Sequence, residues 1–474
     1  MGGVVSKAIF GCRLNSRVPG AGLACAIFFL LALISPSAAE NLQDALVKTY
    51  QTNPQLNSER ARQRGTDENV PQALSGYRPQ LVASLSAGLQ AVRNVLPDNT
   101  IASTNLKPWT IGLTVTQVLF NGYKTANSVR VAEFQVKSGR EALRNIEQGV
   151  FLDAVTAYMN VMANYALYEA QRTNVQVLRE IQATTKRRLD AGDVTPTDTA
   201  QAESRVSRGL ADLNAAEVAL AISKEIYAQV IGEPPTALTA ASPVDRLIPP
   251  TQIASIETAA QQHPAVLGAG YDVDVAQTSI KLAESALLPQ LSVQGSVSRQ
   301  VQNDPTLSVQ KEDQASIVGQ LNVPIYDGGM AAAQTRQAKE VYSQSRLVLE
   351  QVRNQTRTAV VSAWVSNEGT KIALRAAESE VKAAEVALAG VRREAAGGQR
   401  TTIDVLNAQQ DLTNARTRQI IAQRDRVIAS YTLLSAVGRL DILTLNLNTP
   451  DYSPDVHYHQ VRDAWHGLRT PSGQ

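Results

Sequence analysis

Residues Trp109-Thr110-Ile111-Gly112-Leu113-Thr114-Val115-Thr116 alternate apolar with small or polar side chains, and Leu119-Phe120-Asn121-Gly122 closes the alternation. Beyond Gly122 the apolar spacing becomes helical, and no proline interrupts the chain until Pro196. A period of two puts successive side chains on opposite faces of a strand, whereas a helical period gathers every third or fourth residue on one face. This short passage therefore marks a strand handing over to a helix. Upstream, Leu81, Ala83, Leu85, Ala87, Leu89 and Ala91 alternate with Ser84, Ser86, Gly88 and Gln90. The two runs predict a hairpin with one apolar and one small-polar face.

The passage has a second copy. Asn53-Pro54 matches His263-Pro264, Tyr77-Arg78-Pro79-Gln80-Leu81 matches Leu287-Leu288-Pro289-Gln290-Leu291, and Leu119-Phe120-Asn121-Gly122 matches Ile325-Tyr326-Asp327-Gly328. Asp198 with Ala202 matches Asp404 with Ala408, and Gly232 matches Gly438, all at offsets of about 206 to 210 residues. In the second copy Leu291, Val293, Gly295 and Val297 alternate with Ser292, Gln294, Ser296 and Ser298, and Ile317, Leu321, Val323 and Ile325 face away from Ser316, Gln320 and Asn322. The expected organisation is a signal peptide over 1–39, a first repeat over 40–233, a proline-rich linker over 234–250, a second repeat over 251–440, and a polar C-terminal tail over 441–474. The first repeat has strands at about 78–96 and 107–120 and helices at about 122–191 and 197–231; the second has strands at about 288–302 and 313–326 and helices at about 329–396 and 402–437.

The helices are long. Gly122 to Gly192 is about 70 residues, roughly 105 Å at the α-helical rise. Phe151, Val155, Tyr158, Met162 and Tyr165 follow 4-3-4-3 spacing, and Leu374, Ala377, Val381, Ala384, Leu388 and Val391 follow 3-4-3-4-3. That is coiled-coil patterning with alanine at many seam positions. Each long helix meets a turn, Ala191-Gly192-Asp193-Val194 or Ala396-Gly397-Gly398-Gln399, and a returning helix about half as long follows. Segments near 55–75 and 265–287 are placed to stack end to end on the returning helices.

Composition narrows the setting. Lys7, Arg13 and Arg17, an apolar run from Ala21 to Ile34, and Ser37-Ala38-Ala39 before Glu40 form a secretory signal peptide. Its core is too short to span a bilayer as a helix. Cys12 and Cys25 both fall inside it, so the exported chain has no thiol for disulfides, metal binding or catalysis. Cys25 sits within the apolar run, with Gly22 three residues before it where a lipid-attachment signal wants an aliphatic residue. Without the three basic signal residues the chain is nearly neutral, which argues against a nucleic-acid partner. Apolar-out, polar-in strands of this length suit a membrane barrel. Four strands cannot close one, because single-chain barrels begin at about eight, so closure needs two, three or four copies.

Strand pair, long helix, tight turn and returning helix, given twice, resembles the plan of the TolC family over essentially the whole exported chain. Val323-Pro324-Ile325-Tyr326-Asp327-Gly328-Gly329 and Arg400-Thr401-Thr402-Ile403-Asp404-Val405-Leu406-Asn407-Ala408 are similar to that family's signatures. The resemblance implies a mainly α fold with a small β part, closing as a homotrimer with a 12-stranded barrel in outer-membrane lipid and a 12-helix tunnel in the periplasm. It implies an exit duct for tripartite efflux or type I secretion, working with a periplasmic adaptor and an inner-membrane transporter of the RND or ABC type, and without a cofactor. The competing reading is a structural trimeric coiled-coil surface protein or adhesin, which would normally carry its barrel strands at one end of the chain.

Several residues follow from the same resemblance. Asp404 and Asn407 would line the pore constriction, Thr197, Asp198 and Arg400 would belong to the gating network, and the turn residues Gly192, Asp193, Gly397 and Gly398 would meet the adaptor. Phe120 and Tyr326 would be interfacial aromatics. Asn407 stands where the family often has a second acid, and Ala395 where a tyrosine is expected. Read from the residues alone, Thr195-Pro196-Thr197-Asp198 is a helix cap with proline at the first position and an acid at the third, and Thr401 to Asp404 repeats that spacing. Capping leaves the direction of the second carboxylate oxygen open. His457, His459 and His466 read as a solvated tail rather than a metal site. No catalytic or phosphate-binding motif is present.

Overall fold

The computed structural model describes residues 40–95, 97–302 and 310–471. The expected signal peptide over 1–39 lies outside them. Helices α1 (Leu42–Thr52), α2 (Pro54–Asp67) and α3 (Asn69–Leu74) precede strands β1 (Gln80–Ala87), β2 (Gln90–Val95), β3 (Ile101–Leu106) and β4 (Trp109–Asn121). Helices α4 (Lys124–Asp190) and α5 (Pro196–Ile231) complete the first repeat. The second has α6 (Gln252–Gln262), α7 (Pro264–Glu284), β5 (Gln290–Val301), β6 (Lys311–Asn322), α8 (Met330–Ala396) and α9 (Thr402–Ala436), followed by short helices α10 (Ile442–Leu445) and α11 (Pro454–Val461).

The two long helices α4 and α8 have 67 residues each, about 100 Å of α-helix. In the half away from the sheet the order across the wall is α5, α4, α9, α8; in the other half α2 and α3 pack on α4, and α7 lies between α4 and α8. The half-length helices do stack end to end. Asn53, the N-cap of α2, donates from Nδ2 to the carbonyl of Val230 at 2.8 Å, and the N-cap of α7, His263, lies against Gly438 just past α9. The largest buried cluster sits at this level, where Tyr50, Phe151, Tyr158, Tyr227, Val427 and Leu434 close the centre of the protomer.

The four strands β1, β4, β5 and β6 form one antiparallel sheet in the order β1-β4-β5-β6, so the two repeats join through β4 and β5. Register puts Leu81, Leu85, Trp109, Ile111, Leu113, Val115, Val297, Ile317 and Leu321 on one face, and Ser84, Thr110, Thr114, Ser296, Ser298, Ser316 and Gln320 on the other. Along β4 the apolar residues from Trp109 to Val115 are the exposed ones and Thr110, Gly112, Thr114 and Thr116 are half-buried. Water-facing sheets show the reverse. On the polar face Ser296 and Ser316 hydrogen-bond at 2.8 Å.

Three expectations are corrected. The first hairpin is broken: β1 ends at Ala87, and residues 90–95 and 101–106 form a separate two-stranded ribbon. Gly88 and Pro108 interrupt the ladder, since proline lacks the N–H that pairing needs, and Gly88 N–H donates to the Pro108 carbonyl at 2.9 Å. Strand β6 stops at Asn322, before Pro324, leaving Tyr326 in the connection to α8. The C-terminal tail is not solvated throughout: α10 and α11 lie on the first repeat, and His457 Nδ1 is 3.0 Å from Oδ2 of the fully buried Asp67. Among the described residues no group of side chains is placed to hold a metal, and no helix is long and apolar enough to cross a membrane.

Candidate functional site

The end of the protomer farthest from the sheet carries the two turns and most of the residues singled out from the sequence. The first turn has a 6→1 bond from Asp193 N–H to the Arg188 carbonyl at 2.8 Å and a 5→2 bond from Gly192 N–H to the Leu189 carbonyl at 2.9 Å. The second repeats it, with Gln399 N–H on the Glu394 carbonyl at 2.9 Å and Gly398 N–H on the Ala395 carbonyl at 3.2 Å. This helix-ending motif needs one left-handed residue. Gly192 at φ +82° and Gly398 at φ +76° supply it, while Gly397 has an ordinary negative φ of −86°. Gly398, and not Gly397, is thus the counterpart of Gly192.

Both returning helices start with a complete capping box. Asp198 N–H donates to Thr195 Oγ1 at 3.4 Å, and Thr195 N–H and Oγ1 donate back to Asp198 Oδ2 at 3.0 and 2.7 Å. Asp404 and Thr401 repeat the geometry at 3.4, 3.0 and 2.8 Å. Hydrogen bonds from Thr195 hold the Asp198 carboxyl below the usual carboxylate range. The backbone and hydroxyl of Thr401 do the same for Asp404, with Arg400 adding a smaller pull. In both residues the bonds fall on Oδ2, and among the described residues Oδ1 accepts none.

Other predicted residues are placed apart. Arg400 Nε pairs with Glu394 Oε2 at 2.9 Å across its own turn, and no hydrogen bond links it to Asp198 or Thr197 within the protomer. Thr197 and Asp193 are exposed. Asn407 accepts from Arg205 Nη2 at 2.9 Å, which ties the two returning helices α5 and α9 together. Phe120 meets Tyr123 edge to face at 5.3 Å where β4 passes into α4, and Tyr326 is exposed at the matching point of the second repeat.

Sequence reading missed the polar seam behind the turns. Buried Asn174 of α4 accepts from Gln409 Nε2 at 3.2 Å and Thr413 Oγ1 at 3.0 Å of α9, and Gln409 in turn accepts from Arg392 Nη2 of α8 at 3.0 Å. Buried polar groups are costly unless paired, so this set joins three helices in one register. Below it Leu406 fills the space between α4 and α5 beside Leu178, Ala202 and Val206. Nothing local in the sequence marks Asn174 as the partner of residues more than 230 positions away.

The arrangement is a helical wall with polar, charged ends, and among the described residues no cluster of side chains is placed to hold a metal there. A family model described as "Outer membrane efflux protein" matches residues 45–233 and 255–439, one block in each repeat. The chain is 38% identical over 454 residues to the outer membrane efflux protein BepC of Brucella suis biovar 1 (strain 1330), covering 95% of this chain and 97% of that protein. It is 28% identical over 421 residues to the outer membrane protein TolC of Vibrio cholerae serotype O1, covering 86% and 93%. The fold resembles the crystal structure of the Campylobacter jejuni CmeC outer membrane channel with a TM-score of 0.76 at 15% identity, covering 90% of this chain and 89% of that one.

Proposed function

We propose, because this chain belongs to the outer membrane efflux protein family, how a channel of that family is built from this protomer. The protein is an outer-membrane efflux and secretion channel with long periplasmic helices, and it is not an enzyme. The finer reading is that three copies close head to tail into a 12-stranded barrel continued by a 12-helix tunnel. It serves as the exit duct for a periplasmic adaptor and an inner-membrane transporter.

One observation carries this reading: the two lateral edges of the protomer are unfinished. At the sheet, β1 and β6 each have a neighbour on one side only. Exposed strand edges are a liability unless another strand pairs with them. At the helical wall, Leu210, Val218, Ile222 and Ile226 on α5 and Val341, Val348, Val365, Ile372 and Val386 on α8 are exposed. The α5 edge and the α8 edge are the outer helices of the wall, so the same head-to-tail contact that pairs β6 with the next β1 brings α8 to the next α5. Heterologous contacts of this kind make closed rings when the rotation closes. The family resemblance supports three copies in the ring.

In this ring the periplasmic mouth is formed by the turns at Gly192, Asp193, Gly397 and Gly398, which would meet the adaptor. Asp404 Oδ1 would face the axis, with Asn407 one helical turn on, and Asp198, Thr197 and Arg400 would bond across hairpins. Phe120 and Tyr326 would lie at the membrane interface. The decisive test is mass measurement in detergent combined with single-channel recording in a planar bilayer. Three copies per particle and discrete conductance steps are expected; a monomer without steps would overturn the reading. Crosslinking in cells followed by co-purification identifies the adaptor and transporter.

A further inference from the structure

The chain beyond α9 is laid across the first repeat, and a cavity of about 330 Å³ lies beneath it. Tyr50 of α1, Arg60 of α2 and Glu147 of α4 form its floor, and Asp441, Asp451 and Tyr452 come from the overlying segment. The segment is held at several points. Tyr50 Oη donates to Asp451 Oδ1 at 3.2 Å and accepts from Tyr452 N–H at 2.9 Å. The Arg60 guanidinium lies over the Tyr50 ring at 4.2 Å and the Tyr452 ring at 5.1 Å. Arg140 pairs with Asp455 at 2.7 Å, and His457 meets buried Asp67.

Against these attachments stands a cluster of like charge. Glu147 faces Asp441 and Asp451, both on the segment, and is opposed by Arg60 from α2 and, more weakly, by the backbone N–H of Ile442, which donates to its carboxylate from the segment itself. Tyr50 of α1 and, on its own helix, Arg140, Glu141 and Arg144 also line the cavity. Among the described residues Arg60 Nη2 and Gln148 Nε2 are buried in this wall without a partner, so the cavity is polar and roomy enough to admit water, the carrier a proton needs to reach it.

We propose that residues 441–461 are a proton-latched strap: protonation of Glu147 seats the segment on α1, α2 and α4, and ionisation of Glu147 loosens it. Burial, then the charges of Asp441 and Asp451, push the Glu147 carboxyl up from 4.5 to about 7, outweighing Arg60 and the Ile442 N–H, which pull the other way. The sign follows by linkage. The seated state holds the extra proton between those values, so seating is strongest at low pH and weakens as pH rises toward 7.

Hydrogen exchange on the purified full-length protein in detergent tests this, with amides of the strap read after correction for intrinsic exchange. Protection over 442–461 is expected to fall between about pH 5.5 and about pH 8, by up to roughly thirtyfold, the ceiling for such a carboxyl. Glu147→Gln should hold the strap at both pH values and abolish the difference. Asp451→Asn keeps an acceptor for Tyr50 and should shrink it. His457→Gln should leave it in place. Equal protection at both pH values in the unaltered protein, a difference that survives Glu147→Gln, or one that vanishes with His457→Gln would each overturn the proposal.

Discussion

Asn53 joins two helices through one side chain: its Nδ2 donates to the Val230 carbonyl in the last turn of α5, while its Oδ1 accepts from Gln55 N–H at 2.9 Å and Leu56 N–H at 3.2 Å in the first turn of α2. The amide satisfies groups that helix ends otherwise leave unpaired, on both helices at once. It thereby makes one long rod of two short helices, matched to the length of α4.

Asn53→Ala should lower stability by about 1–2 kcal/mol, since it removes a cap and a buried acceptor's partner. Asn53→Asp keeps the cap and loses only the donor, so it should fall between. Thermal unfolding of the purified protein measures both, and an Asp variant as damaging as Ala would mean that the splice to Val230 outweighs the cap.

Gly122 turns the chain from β4 into α4 at φ +63°, and a Cβ there would stand 2.6 Å from the Ser285 carbonyl and 2.7 Å from Leu288 Cβ. Gly122→Ala should therefore cost more than the roughly 1–2 kcal/mol of a left-handed alanine alone. Gly295→Ala, in a strand with nothing within 4 Å of the added carbon, should cost far less. Comparable yields and melting temperatures for the two variants would refute the close approach at the strand-to-helix corner.

Asp404→Asn separates capping from a pore charge. Asparagine still accepts from Thr401, so oligomer stability should change little, while cation selectivity and block by multivalent cations should fall in single-channel recordings. Unchanged selectivity with a lowered melting temperature would leave capping as its only role. The cap has its own pH signature. Because Thr401 holds the carboxyl low, its contribution is complete above the unfolded-state pKa of about 3.9 and is lost as pH falls through the still lower folded value.

The exposed edge of α8 should be needed for assembly and not for the protomer's own fold. Ile372→Glu and Val386→Glu place charges on residues that are 67% and 72% exposed in the single chain. Burying them in a subunit contact without partners is costly. Size-exclusion with mass detection should show loss of the trimer with helical content retained by circular dichroism. An intact trimer would move the subunit contact elsewhere.

Orientation is testable with epitope tags. A tag in the turn at residues 97–100, between β2 and β3, should label on intact cells, and a tag at Gly192 or Gly398 only after the outer membrane is permeabilised. The opposite pattern would invert the molecule.

The sequence by itself determined the repeat, the switch from strand to helix, the two glycine turns and the capping boxes. Each of these depends on residues a few positions apart: alternation is local, Thr195 reaches Asp198 within one turn, and the left-handed corner at Gly192 needs only the missing Cβ. Even the matched anchors Asn53, Gly232, His263 and Gly438 were visible as a repeat, though not their meaning. Only the tertiary structure decided that Asn53 meets the end of α5, that Asn174 answers Gln409 and Thr413, that Arg205 answers Asn407, and that the tail carrying His457 closes over Asp67 and Glu147. Those contacts bring together residues far apart in the chain, and burial beside a particular partner is set by how long helices align in space, a quantity that no local pattern of side chains encodes.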